Sequence, residues 1–124
     1  MPEIGFPVEM ISGVPVVAAP AEIDITNAEG LRAALGQAAG DGHETLVVDL
    51  TRTRFCDSAA IHELVDAHKR ARTAGGQVLL AVSGAAVPRI FQITGIDRML
   101  PRFPSVAEAL AHVPAAETPG PPPG

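Results

Sequence analysis

The chain has 124 residues, 9 basic and 14 acidic side chains and a formal net charge of −5, a size that holds one ordinary domain burying roughly two-thirds of its unfolded surface. The acidic balance, with no Trp or Tyr and four Phe, excludes both a clustered basic face for a phosphate backbone and aromatic platforms for single-stranded bases, so no nucleic acid partner is expected. Cys56 is the single cysteine, no run approaches the ~18 apolar residues of a membrane span, and the first residues lack a basic-then-apolar leader, so a cytoplasmic chain without membrane contact is expected.

Residues 6–11 and 14–19 are apolar-rich runs divided by Ser12-Gly13, a pair suited to a two-residue hairpin, and predict two paired strands. Pro15 cannot donate to a ladder, so the second strand must run where that amide is not needed. Thr26-Asn27-Ala28-Glu29 has the form of a capping box and predicts a helix from about Asn27, with Leu31, Ala34, Leu35 and Ala38 on one face and a stop in Gly40-Asp41-Gly42. Residues 45–50, TLVVDL, form a short apolar run with the character of a central strand buried on both faces. From 59 to 74 a helical period returns, with Ile61, Leu64, Val65, His68 and Ala71 on one side and an Asp66–Arg70 pair at i, i+4 on the other.

Gly75-Gly76 ends that helix, and residues 77–82, QVLLAV, predict a second buried strand. Strand, helix and strand in this order imply a right-handed parallel crossover. A shorter helix over 85–94 directs Val87, Ile90, Phe91 and Thr94 inward, with Pro88 in its first turn and Gly95 at its end. Residues 99–103 make a weak edge strand interrupted by Pro101, and Ser105-Val106-Ala107-Glu108 is a second capping box that opens a helix to about His112. The sum is one α/β domain over 1–113, a mixed, mostly parallel sheet of four to five strands carrying three to four helices. Residues 114–124, PAAETPGPPPG, have almost nothing to bury and are expected to form a disordered Pro/Gly-rich tail.

Chemistry concentrates where the strand at 45–50 runs toward the helix at 59–74, because the C-terminal edge of an open α/β sheet is where ligands and partners bind. Ser58 stands at that helix start. Its hydroxyl could serve as an N-cap, worth about 1 kcal/mol, or could take a phosphate accommodated by the free amides and positive end of the helix.

The residues around it carry a resemblance. Glu22-Ile23-Asp24 before the first helix, Asp49-Leu50-Thr51 followed by Phe55-Cys56-Asp57-Ser58, and Phe91-Gln92-Ile93-Thr94-Gly95-Ile96-Asp97, in this order, resemble a STAS domain of the bacterial anti-sigma factor antagonist class over about residues 8–112. The resemblance implies partner switching in transcription regulation, as in stress responses. The unmodified antagonist binds an anti-sigma factor serine kinase and frees a sigma factor; the kinase phosphorylates the antagonist, and a serine phosphatase of the same pathway reverses this. Ser58 then aligns with the phospho-acceptor, Asp57 with the acid before it and Asp24 with a nearby partner contact. Asp24, Asp57, Ser58, Ala59, Ala60 and His62 are the expected partner-binding residues, on a monomer or, as the alternative, a dimer. The chain departs from the family in Ala59-Ala60-Ile61, which replaces Ser/Thr-Gly-Leu, and in Ala21, which replaces Gly. Ala60 is expected to add a methyl where the kinase approaches the hydroxyl and to favour the helix by up to ~1 kcal/mol.

Enzymatic readings find little support. Ser58 with His62 or His68 as base lacks a G-x-S-x-G elbow and an orienting acid, and Cys56 reads as a buried structural thiol. No cofactor or metal is expected: no phosphate-binding glycine motif occurs, and His62 and His68 are spaced onto different helix faces. The second reading of the same fold is a constitutive adaptor or scaffold subunit that is never phosphorylated.

Overall fold

The computed structural model describes residues 5–40 and 45–113. The expected tail at 114–124 and the Asp41-Gly42 part of the first helix stop therefore lie outside the described residues. Strands β1 (Val8–Ile11) and β2 (Val14–Ala18) pair antiparallel, with Ile11 opposite Val14. Ser12 and Gly13 between them both take positive φ, 53° and 80°, the requirement of the two-residue turn whose twist matches the strands it joins. Pro15 stands one residue before the β2–β4 ladder, which begins at Val16. Its missing amide costs that ladder nothing.

The main sheet has the order β1-β2-β4-β6-β7, with β4 at Thr45–Leu50, β6 at Gln77–Val82 and β7 at Arg102–Phe103. All pairings after the hairpin are parallel, so the fold is the expected mixed, mostly parallel α/β sheet. Helices α1 (Ala28–Gly40), α2 (Ser58–Thr73) and α3 (Ala86–Thr94) and the short α4 (Val106–Ala111) complete it. The period of two along the central strands divides the core. Leu46, Val48 and Leu50 of β4 and Val78, Leu80 and Val82 of β6 join the cluster containing residues of α1, α2 and α3, while Val47 and Leu79 join Ala109 and Val113 in a smaller cluster with α4. This is why both strands read as unbroken apolar runs.

The edge at β7 is shorter than the sequence suggests. Residues Ile96–Arg98 form a turn of 3-10 helix with Ile96 buried, Leu100 after it is buried as well, and only Arg102–Phe103 remain extended. Pro101, which has no amide, contributes through its carbonyl, which accepts from Leu80 N at 2.9 Å. On α3, Val87 and Phe91 are buried as expected, but Thr94 is exposed and its hydroxyl turns back to the Ile90 carbonyl. Close packing also explains Gly30 of α1: a Cβ there would meet the Phe6 ring at 3.1 Å.

His68 is the buried polar residue of α2, 6% exposed, and its Nδ1 accepts a hydrogen bond from Val78 N at 3.1 Å. Burial, and then the charge of Arg72 one turn on, hold its pKa below the ordinary 6.5. The folded state therefore keeps the ring neutral, and the unfolded chain binds the proton first as pH falls. This stabilising contribution is complete above 6.5 and is lost below it. The urea midpoint is expected to fall between about pH 7.5 and 5.5 more steeply than in His68→Gln, whose amide oxygen can accept from Val78 without titrating. Equal slopes would remove His68 from the acid response.

Candidate functional site

The site lies beyond the C-terminal ends of β4 and β6, and its loops are pinned by short-range polar contacts. The Asp49 carboxylate accepts from Thr51 N at 3.0 Å and from the Thr51 hydroxyl at 2.6 Å, which turns the chain as β4 ends. Ser83 Oγ donates to the Thr51 carbonyl at 2.9 Å, and Thr53 Oγ1 to the Pro20 carbonyl at 2.8 Å. Ala21 accepts from the amides of both Arg54 and Phe55 and has no positive φ. The side chain that stands in for a family glycine is therefore accommodated without strain.

A second, two-stranded parallel sheet then forms from β3 (Glu22–Ile23) and β5 (Phe55–Cys56), with Glu22 opposite Phe55 and Ile23 opposite Cys56. Glu22-Ile23, ahead of the first helix, is thus a strand and not merely a lead-in to it. Ile23 and Cys56 are both buried, at 0% and 2% exposure, so the pairing is anchored by its inward residues. Burial, and then the neighbouring Asp57 carboxylate, push the Cys56 thiol up to about 11, which keeps it protonated and inert at neutral pH.

Asp57 N donates to the Ile23 carbonyl at 3.1 Å, which delivers Asp57 to the start of α2. Asp57, not Ser58, is the N-cap. Its Oδ1 accepts from Ala59 N at 2.9 Å and Ala60 N at 3.2 Å, and its Oδ2 reaches across to Ile25 N at 3.1 Å. A carboxylate outcompetes the adjacent hydroxyl here because its two oxygens serve three amides and its charge suits the helix N-terminus.

Ser58 is thereby released to the first helical position, exposed to solvent. Among the described residues its hydroxyl has no hydrogen-bond partner. The amides expected to cradle a phosphate are occupied by Asp57, so a group on Ser58 would project into solvent. The expected methyl obstruction at Ala60 is also corrected, because Ala60 is 0% exposed and packs in the core cluster with Leu64 and Ile23. It cannot contact a partner through its side chain. Ala59 is half-buried, and His62, one turn along α2, is exposed.

The capping box expected for α1 is not formed. The Thr26 hydroxyl donates to Asp24 Oδ1, which also accepts from Thr26 N at 2.9 Å. The charged acceptor two residues back takes the hydroxyl that would otherwise have served the helix. These bonds, the side-chain one first, hold the Asp24 carboxyl below its usual range. Asn27 completes the turn, accepting from Asp24 N at 2.8 Å and donating to the Glu22 carbonyl at 2.9 Å. Through β3–β5 and the Asp57–Ile25 bond, the structure brings the Asp24 segment to the start of α2.

His68 is committed to Val78, which withdraws it as a base for Ser58. Among the described residues no group of three His, Cys, Asp or Glu side chains is arranged to hold a metal ion, and no helix is long and apolar enough to cross a membrane.

The STAS domain family model matches residues 6–109. The chain belongs to the STAS domain family. Solved structures place this STAS domain among its relatives. A crystal structure of an anti-sigma factor antagonist from Mycobacterium paratuberculosis is 30% identical, with a TM-score of 0.80 over 87% of this chain and 92% of the other. An anti-sigma-factor antagonist (STAS) domain protein from Planctomyces limnophilus is 25% identical, with a TM-score of 0.79 over 87% and 97%. The murine Slc26a9 anion transporter is also 25% identical, with a TM-score of 0.68 over 82% of this chain but 18% of the transporter. The STAS fold therefore occurs both as a small protein and as a minor part of a large one.

Proposed function

We propose that this STAS domain is an anti-sigma factor antagonist that acts by binding in the bacterial cytoplasm. Unphosphorylated, it binds an anti-sigma factor serine kinase and frees a sigma factor; phosphorylation at Ser58 switches it off, and a serine phosphatase of the same pathway restores it. The observation that carries this reading is Ser58 itself, an exposed hydroxyl at the first position of α2 with no partner among the described residues. The antagonist from Mycobacterium paratuberculosis, at 30% identity, supports the class of activity.

The group transfer is simple. Ser58 Oγ attacks the γ-phosphorus of ATP on the kinase, the bond to ADP breaks, and the hydroxyl proton passes to a base on the kinase. The product carries about −1.5 to −2 charges and three acceptor oxygens, next to the Asp57 carboxylate and on the same edge as Asp24. With Ala59 N and Ala60 N already bonded to Asp57, the chain offers those amides to nothing else. The phosphate changes the surface and leaves the fold intact.

A non-phosphorylated STAS adaptor or scaffold subunit is the second reading, favoured by the occurrence of the fold within the murine anion transporter. Mass spectrometry after incubation with ATP and each anti-sigma-type serine kinase of the source genome separates the two. The expected result is one phosphate, on Ser58. A kinase that binds the chain tightly and leaves Ser58 unmodified would support the adaptor.

A further inference from the structure

Among the described residues five large apolar side chains are exposed, and two of them, Ile25 at 78% and Phe55 at 47%, belong to the segments that β3 and β5 join. Ile25 donates its amide to Asp57 Oδ2, and Phe55 lies in the strand that leads directly into Asp57 and Ser58. The two apolar groups therefore accompany the hydroxyl of Ser58. The backbone that carries Ile25 is held on both sides, by Asn27 through Asp24 N and by Asp24 through Thr26 N. Exposed apolar side chains on a fixed backbone lose little freedom when covered, and that is the property of an interface anchor.

We infer that Ile25 and Phe55 are the apolar anchors on which the serine kinase docks, and that Asp57 is a positioning residue that holds the Ile25 loop against the start of α2; this rests on the antagonist reading above. The occupant follows from the chemistry at Ser58. Phosphoryl transfer requires the donor phosphate within roughly 3–3.5 Å of Oγ, and a protein surface brought that close covers the residues on both sides of the hydroxyl. Charge agrees with the same occupant. Glu22, Asp24 and Asp57 in these segments outnumber Arg52 and Arg54 on the loop before β5 by one charge, so the kinase surface opposite is matched to a near-neutral, largely apolar patch beside an uncharged hydroxyl. A phosphate on Ser58 adds about −1.5 to −2 charges to that patch and must lose its water as the contact closes.

The test is steady-state phosphorylation of the full chain by the kinase that modifies Ser58, with Ile25→Ala, Phe55→Ala and Met10→Ala. Met10, 49% exposed on edge strand β1, controls for loss of any exposed apolar side chain. Each anchor variant is expected to raise KM roughly tenfold with kcat unchanged, while Met10→Ala leaves both unchanged. Unaltered KM in Ile25→Ala and Phe55→Ala, with the wild type phosphorylated normally, would overturn the anchors and leave the antagonist reading standing. Failure of every kinase to phosphorylate the wild type would overturn that reading and the anchors with it.

Discussion

Ser58→Asp is expected to bind the kinase about 100-fold more weakly than the wild type, a change of about 2.7 kcal/mol, while Ser58→Ala keeps wild-type affinity. The reason is the division of labour at the start of α2. Asp57 already holds the amides of Ala59 and Ala60, so a new carboxylate at position 58 finds neither of those donors free and lies beside an existing negative charge. It cannot be neutralised within the chain by those groups, and it must be desolvated when the partner closes over it. Folding does not suffer. An acidic residue in the first helical turn is favourable by about 0.3–1 kcal/mol, so Ser58→Asp should melt at or slightly above the wild-type temperature. Calorimetric titration of both variants against the kinase, with thermal melts alongside, reads the two quantities separately. Equal affinities for Ser58→Asp and Ser58→Ala would show that charge is not the switch.

The second large effect is expected at Asp57. Asp57→Ala removes the cap of α2, worth about 1 kcal/mol, and the bond to Ile25 N, worth about another 1 kcal/mol. The thermal midpoint should fall by about 10 °C in a domain of this size. Asp57→Asn retains one acceptor oxygen and is expected to lose about half as much stability, because Asn is as good an N-cap as Asp but its amide nitrogen cannot accept from Ile25. Hydrogen exchange at Ile25 distinguishes the contributions. Its amide should exchange faster in both variants, and protection that survives in Asp57→Ala would mean that the cross-segment bond is not what holds the loop.

What the sequence made legible, and what it hid, follow one pattern. Strands β4 and β6 coincide with the apolar runs at 45–50 and 77–82, because burial on both faces leaves no polar alternation to blur their ends. The hairpin was equally plain, since Ser12-Gly13 is a turn signal that depends on local geometry alone. The sheet of β3 and β5 was not visible, because two residues per strand carry no period, and the burial of Ile23 and Cys56 depends on their mutual approach. Cap assignments failed where two capping residues compete. Asp57-Ser58 and Asp24-x-Thr26 each offer a carboxylate and a hydroxyl, and in both the carboxylate takes the bonds that set the local structure. Ala60 could have been placed from the sequence, since it continues the i, i+4 row with Leu64 and His68 into the core.

The bond between Ile25 and Asp57 joins positions 32 apart in the chain, and α1 and β4 lie between them. Closing a loop of that length is compensated only when the intervening elements have packed. The surface around Ser58 thus comes into existence with the finished fold. A nascent or denatured chain carries the same serine yet lacks these neighbours, so any partner that reads them discriminates folded molecules from unfolded ones.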